Sequence, residues 1–222
     1  MKKVFDLIAV SIVLTLLTPL MGMIALLIKA SSPGPIFFRQ DRVGLKEKRF
    51  KVLKFRSMVE RAEEIGTSVT TQNDLRITPV GRVLRRTKLD ELPQLINVFK
   101  GDMSFVGPRP DVPEIVEKYN PEMRRIFKVL PGITSVATLH LKNEGGILAQ
   151  VDDPDTFYEE VLVPLKVKLA MEHVDKNSFT FDLKILFQTI WMLTLGRWWP
   201  IEEHPAVVRL KEEGEKLRGK KI

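Results

Sequence analysis

KLDELPQLINVFKGDMSFVGPRP, residues Lys88 to Pro110, is the stretch from which the rest of the chain is read. Asp90 and Glu91 stand side by side just before an apolar helical run. The run ends in a turn at Gly101-Asp102, and a stiff Gly-Pro-Arg-Pro hook follows around Arg109. Acids and an arginine held at fixed separation by Gly and Pro suit a site that handles phosphate and a metal. The same residues also have a purely structural explanation. Asp is a good N-cap, Glu favours a first turn, and proline is tolerated there. Leu92, Leu95, Ile96 and Phe99 would then form the buried face. The local pattern fits cap and catalysis equally, so the context decides.

The chain has 222 residues, 44% hydrophobic and 28% charged, which excludes a disordered chain. Its net charge of +7 points to an anionic partner: nucleic acid, phosphorylated small molecules or an acidic membrane surface. Without cysteine there is no disulfide, thiolate metal site or Cys nucleophile. The histidines His140, His173 and His204 are scattered, which argues against a His-based zinc site.

Val4 to Ile28 is almost entirely apolar and long enough to span a bilayer. A cleaved signal peptide is the weaker reading, because the run is long and Lys29 precedes the small residues Ala30-Ser31-Ser32. Lys2 and Lys3 lie before the segment, and Lys29, Arg39, Arg42, Lys46 and Lys48 after it. Positive charge on both sides argues for both ends on the cytoplasmic face. Pro19, next to Thr18, sits near the middle and would kink or break the helix. Thr18 would help satisfy a freed backbone group. A re-entrant hairpin and a kinked transmembrane helix both fit these residues.

Beyond Pro35, Ile36–Gln40 and Phe50–Met58 read as two strands around a turn at Arg42-Val43-Gly44. One edge of this hairpin carries Lys51, Lys54 and Arg56, placed to meet phosphates or a membrane surface. A helix through Val80–Leu89 sets Arg82, Arg85 and Arg86 near one face. Such a cluster is expected to keep Asp90 and Glu91 ionised and to attract an anion. Asp111–Val129 reads as an amphipathic helix, interfacial or packed in the core. Phe181–Leu195 is a further apolar helix, and Trp191, Arg197, Trp198 and Trp199 suit a membrane interface. The fold expected is α+β, mostly helical: a re-entrant membrane helix hairpin, a small β-hairpin and amphipathic interfacial helices. Its parts are 1–30 embedded in the membrane, 31–200 catalytic, and a charged tail at 201–222 suited to solubility or self-association as a homo-oligomer.

Chemically, a carboxylate can attack phosphorus and split one hard displacement into two. A neighbouring carboxylate can hold Mg²⁺ with phosphate oxygens and water. Arg109, braced by prolines, suits bidentate phosphate binding.

Residues 74–110, DLRITPVGRVLRRTKLDELPQLINVFKGDMSFVGPRP, resemble the signature of the bacterial sugar transferases, the monotopic polyprenyl-phosphate phosphoglycosyl transferases. FRQDRVGLKEKRFKVLKFRSM, PGIT at 131–134 and NSFTFDLKIL at 177–186 agree with it, so the resemblance covers about residues 1–195. It implies transfer of a sugar 1-phosphate from a UDP-sugar to undecaprenyl phosphate, initiating glycan or exopolysaccharide assembly. It implies Asp90 as nucleophile, Glu91 as the Mg²⁺ ligand, and Arg85 and Arg109 as phosphate- and nucleotide-binding residues. Arg56 joins these as a substrate-binding candidate from the basic strand edge. The resemblance also implies a helix break at Thr18-Pro19, where the family has Ser-Pro, and a location on the cytoplasmic face of the bacterial inner membrane. Ser135-Val136-Ala137-Thr138 departs from the family's Gly-Trp-Ala-Gln, so no contacts are assigned around 135–150. The alternative is a membrane-tethered scaffold that binds acidic lipid or an assembly partner. A nucleic-acid binder is disfavoured by the hydrophobic N-terminus and the lack of a basic aromatic module.

Overall fold

The computed structural model describes residues 1–65, 70, 74–141, 144–149, 151, 153–195 and 204–208. Lys2–Ser31 forms a single 30-residue helix, α1. At 1.5 Å per residue it is about 45 Å long, more than the thickness of a bilayer's hydrocarbon core. Among the described residues it is the one helix long and apolar enough to cross a membrane.

The helix runs through Pro19 without interruption. Proline has no N–H for the carbonyl of Thr15, four residues back. The Thr18 hydroxyl donates to the Leu14 carbonyl at 2.7 Å, so it does not serve the carbonyl that Pro19 frees.

One face of α1 lies on the protein body from end to end. Val10 packs with Val13, Leu14 and Leu17 in one cluster; Ile24 and Ile28 pack with Leu20, Met21 and Ala25 in the next. These positions recur at three- and four-residue spacing, as one stripe of a helix must. Leu7, Ile8, Ile12, Leu16, Met23, Leu26 and Leu27 are exposed. Both ends are fastened. Lys2 Nζ meets Asp182 at 2.6 Å and the Val106 carbonyl at 2.8 Å, and Ser104 Oγ donates to Asp6 at 2.8 Å. At the other end Arg56 Nη2 donates to Ser32 O at 2.8 Å and Ser32 Oγ at 3.0 Å, while Nη1 donates to the Pro33 carbonyl. A guanidinium over the last carbonyls complements the helix dipole. Arg56→Ala is therefore expected to cost about 3 kcal/mol, since hydrogen bonds to a charged group contribute about 1.5–3 kcal/mol each. Arg56→Lys should recover only part of this. Thermal unfolding in detergent measures both; wild-type stability in Arg56→Ala would mean that the cap contributes nothing.

Strands β1 (Phe37–Val43) and β2 (Arg49–Phe55) pair antiparallel, from Phe37 opposite Phe55 to Val43 opposite Arg49. The turn lies at 44–48, later than the sequence suggested, because Arg42 and Val43 stay paired. After a short α2 (Ala62–Ile65), α3 (Pro79–Thr87) starts at Thr78, whose side chain accepts from Gly81 N, and ends at left-handed Lys88. A 3₁₀ turn at Leu89–Glu91 leads through Pro93 into α4 (Gln94–Lys100). Buried Asn97 latches α4 to β2, accepting from Leu53 N at 3.0 Å and donating to Lys51 O at 2.8 Å. Phe99, expected in the core, is exposed, while Val98 is buried.

Strand β3 (Ser104–Val106) pairs parallel with β4 (Gly132–Thr134), where the sequence suggested only a turn. The expected helix over Asp111–Val129 is divided into α5 (Pro113–Val116) and a 3₁₀ turn at Met123–Lys128. Pro121 disfavours helical backbone in Asn120 before it. Ile115, Val116, Tyr119 and Phe127 pack in a core with Val163, Val167 and Ala170, so this segment is core and not an interfacial helix. There follow α6 (Val136–His140), α7 (Glu144–Leu148), α8 (Pro154–Phe157), one π turn at Tyr158–Leu162, α9 (Val163–Lys176) and α10 (Phe179–Thr194). On α10, Leu183, Phe187, Ile190 and Leu193 are exposed, and Phe179 meets Phe5 of α1 edge to face at 5.2 Å. Val207, in the stretch expected to be a solvated tail, is buried in the cluster formed by Val106, Leu139 and Leu169. Arg197, Trp198, Trp199 and most of the tail lie outside the described residues.

Candidate active site

The left-handed Lys88 folds the chain back at the end of α3 and sets Asp90 and Glu91 beneath β2. Asp90 is 7% exposed. It caps nothing: Pro93 is the N-cap of α4 and makes no side-chain cap bond. Its Oδ1 is buried with no hydrogen-bond partner among the described residues. The helix-cap explanation of this aspartate therefore fails.

Glu91 is clamped from two sides. Arg109 Nη2 and Nη1 reach its two oxygens at 2.6 and 3.3 Å, and Lys54 Nζ reaches Oε1 at 3.2 Å. Arg109 is positioned by its hook. Gly107 N donates to Thr134 O at 3.0 Å, and Gly132 N donates to Pro108 O at 2.9 Å. A Cβ on Gly132 would stand 2.1 Å from Gly107 N, so only glycine permits this approach. Arg85 Nε donates to Ser57 Oγ at 2.9 Å. Arg82, Arg85, Arg86, Lys88, Asp90, Glu91 and Arg109 all line one broad groove.

The two acids are driven apart electrostatically. Burial pushes the Asp90 carboxyl above its ordinary value, and Glu91 adds to this; Lys54 and Arg85 oppose it without cancelling it. Burial acts on Glu91 in the same direction, but Arg109 and Lys54 outweigh it and hold the group well below the usual carboxylate range. The basic cluster thus keeps Glu91 ionised, as expected, but not Asp90, whose desolvation dominates. Neighbouring titratable groups separated in this way are a mark of divided chemical roles.

A pH dependence follows. An Asp90 that must be ionised to react loses activity as pH falls through its raised value, so the acid limb of kcat/KM should lie above the ordinary aspartate value of about 3.9. Its effect on stability has the opposite sign: the ionised form destabilises the fold above the raised pKa, and that penalty disappears as pH falls below it. A pH–rate profile with its acid limb at about 3.9 or lower would contradict the buried environment of Asp90.

Of the residues expected in the site, the structure brings together Asp90, Glu91, Arg85 and Arg109. Arg56 borders the groove, but its guanidinium is occupied by the end of α1. Thr18 and Pro19 belong to α1 and do not line the groove. Lys54 was expected only as part of a basic strand edge. Its parity with buried Val52 places it on the inner face of β2, a signal the alternation carried. Among the described residues no group of three or more His, Asp or Glu side chains is arranged to hold a metal by itself. Glu91 and the unpartnered Asp90 oxygen form a two-carboxylate set. That suits a Mg²⁺ ion arriving with phosphate oxygens and water.

Residues 1–196 match the family described as bacterial sugar transferase. The chain is 39% identical over 193 residues to the UDP-glucose:undecaprenyl-phosphate glucose-1-phosphate transferase of Escherichia coli, covering 86% of this chain and 39% of that protein. It is 37% identical to the UDP-N-acetylgalactosamine-undecaprenyl-phosphate N-acetylgalactosaminephosphotransferase of Aeromonas hydrophila, over 88% of this chain and 44% of that one. It is 36% identical to the exopolysaccharide production protein PSS of Rhizobium leguminosarum bv. phaseoli, over 86% of this chain and 93% of that one. The chain thus spans about two fifths of the first two relatives and nearly all of the third. Because the match runs unbroken through α1, the carboxylate pair and the arginine hook, the chain belongs to the bacterial sugar transferase family.

Proposed function

We propose that this protein transfers a sugar 1-phosphate from a nucleoside diphosphate sugar to polyprenyl phosphate at a membrane surface, through a covalent aspartyl intermediate. The observation that carries this reading is the buried, unpartnered Oδ1 of Asp90 beside a firmly ionised Glu91. A scaffold has no use for a carboxylate oxygen left unpaired at such cost. The names of the relatives support uridine as the base and undecaprenyl phosphate as the acceptor.

In the first step an Asp90 oxygen attacks the phosphorus that bears the sugar. A P–O bond forms, the bond to the nucleoside monophosphate breaks, and that product leaves. In the second step an acceptor phosphate oxygen attacks the same phosphorus, and Asp90 leaves as carboxylate. Arg85 and Arg109 bind the phosphates and orient them in line. Glu91 and Asp90 would hold a Mg²⁺ ion, which when bound neutralises charge on the phosphates. Lys54 keeps Glu91 ionised.

We place the protein on one face of the membrane. Both ends of α1 are fastened to the body that carries the groove, and its exposed stripe is apolar. A helix fastened at both ends to one body favours entry and exit by a single face, and the lysines at both ends favour the cytoplasmic side. The bend at Pro19 that re-entry requires is part of this proposal. The exposed face of α10, beside Phe5, would extend the lipid contact.

The test is purified protein with Mg²⁺ and a panel of UDP-sugars, without lipid acceptor. A mass increment of one sugar phosphate on the peptide containing Asp90, released by acceptor phosphate, is the expected result. Full turnover with no trappable adduct, together with an active Asp90→Asn variant, would sink the covalent route.

A further inference from the structure

The groove has a second polar wall that the phosphate chemistry does not use. On it Lys166 of α9 donates to Glu144 Oε1 of α7 at 2.7 Å and to the Tyr158 hydroxyl at 3.3 Å. Tyr158 continues the network to Asp111 Oδ1 at 3.5 Å, and Asp111 Oδ2 accepts from Tyr119 at 2.7 Å. Tyr158 opens the single π turn of the chain's described residues, a departure from α geometry that often accompanies a functional position. Glu144, Tyr158, Lys166 and Asp111 line the same groove as the carboxylate pair. The wall also adjoins that pair, since Glu144 adds to the field that raises the Arg109 pKa.

The chemistry of this wall differs from that of the phosphate end. There the side chains are arginines and lysines; here an acceptor, a donor and a phenol alternate. The ammonium of Lys166 has three N–H donors, of which two are engaged. Glu144 uses one oxygen, and its Oε2 has no donor among the described residues. A free donor beside a free acceptor on a groove wall matches hydroxyl groups, which both give and receive hydrogen bonds. Anions and apolar ligands match it poorly.

We propose that Glu144 and Lys166 form a carbohydrate-reading subsite that binds hydroxyl groups of the nucleotide-sugar donor. It rests on the transferase reading above for the identity of the donor. Both the transferred sugar and the ribose carry such hydroxyls. The pair is pre-formed, so its charges are already matched before a ligand arrives, and discrimination comes from hydroxyls that can or cannot reach the free Oε2 and N–H. Sites that hydrogen-bond a hydroxyl discriminate strongly against ligands that lack or misplace it.

The experiment compares wild type, Glu144→Gln, Lys166→Met and the double reversal Glu144→Lys with Lys166→Glu. Turnover is measured with UDP-glucose, UDP-galactose and their N-acetylamino counterparts. Affinities for the same sugars and for UMP are measured by calorimetry in an Asp90→Asn background, where no transfer occurs. A change of at least tenfold in the ratio of kcat/KM between sugars, with UMP affinity unchanged, assigns the pair to the transferred sugar. A parallel tenfold loss of UMP affinity assigns it to the ribose. The double reversal keeps an ion pair but exchanges donor and acceptor, so it should restore the melting temperature and leave recognition altered. Wild-type sugar ratios and UMP affinity in all variants, or full restoration of recognition by the reversal, would reduce the pair to a staple between α7 and α9 and overturn the proposal. Binding that responds to the variants in a protein without turnover would instead sink the transferase reading and leave this one standing. A wild type that binds no nucleotide sugar overturns both.

Discussion

Asp90→Asn is expected to abolish sugar-phosphate transfer, by on the order of 10⁴- to 10⁶-fold, the scale at which removal of a covalent nucleophile acts. The amide keeps the shape of the side chain but cannot displace a nucleoside monophosphate from phosphorus. Stability should move the other way. The wild-type fold buries a carboxyl whose ionised form is disfavoured, with one oxygen unpartnered. A neutral amide removes that penalty, so the melting temperature at neutral pH should hold or rise. Membrane association depends on α1 and should be unchanged. The decisive measurement is nucleoside monophosphate release in the absence of acceptor, with unfolding followed in parallel. Retention of more than about 1% of wild-type release would show that Asp90 is not the nucleophile, being far above the loss expected for one. A variant that is inactive because it is unfolded would instead lower the melting temperature, the opposite of what the burial of Asp90 implies.

Most of this site was legible in the chain because it is local. Asp90, Glu91 and Arg109 fall within twenty residues, and glycine and proline fix the chain between them. The β-hairpin was legible for the same reason, apart from its turn, where strand pairing outlasted the Arg42-Val43-Gly44 signal. What the sequence hid lies in contacts between distant segments. Nothing in Phe50–Met58 says that Arg56 closes the end of a helix more than twenty residues earlier while Lys54 meets the dyad. Nothing in the PGIT stretch says that Gly132 must admit Gly107 at the distance of a backbone contact. The charge state of Asp90 was misjudged because neighbouring arginines can be counted in a sequence, whereas desolvation appears only with the packed body around it. The hydrophobic N-terminus shows the same limit. Its length and lysine flanks were plain, but only the stripe from Val10 to Ile28 shows that it lies along the body that holds the groove.

Arg109→Ala is the second large effect, and it separates charge from geometry. The guanidinium binds both oxygens of Glu91, and the hook admits no other residue into that place. Removing it leaves Glu91 buried with Lys54 as its remaining cation. Breaking a fully buried pair costs about 3–5 kcal/mol; Arg109 is about one third exposed, so about 2–3 kcal/mol is expected here. Transfer should fall on the order of 10²- to 10³-fold, as when one preorganised electrostatic donor is lost. Acid stability gives an independent readout. Glu91 has a depressed folded pKa, so its contribution is full above the unfolded value and is lost as pH falls through the folded one. Without Arg109 the folded pKa rises, and that loss begins at higher pH. The acid-unfolding midpoint of Arg109→Ala should therefore lie above that of wild type in a circular-dichroism titration. Arg109→Lys restores one charge but not the planar fork, so it should recover acid stability more fully than transfer. Equal recovery of both would mean that a point charge suffices and that the bidentate geometry is incidental. Wild-type transfer in Arg109→Ala would remove the arginine from the phosphate site altogether.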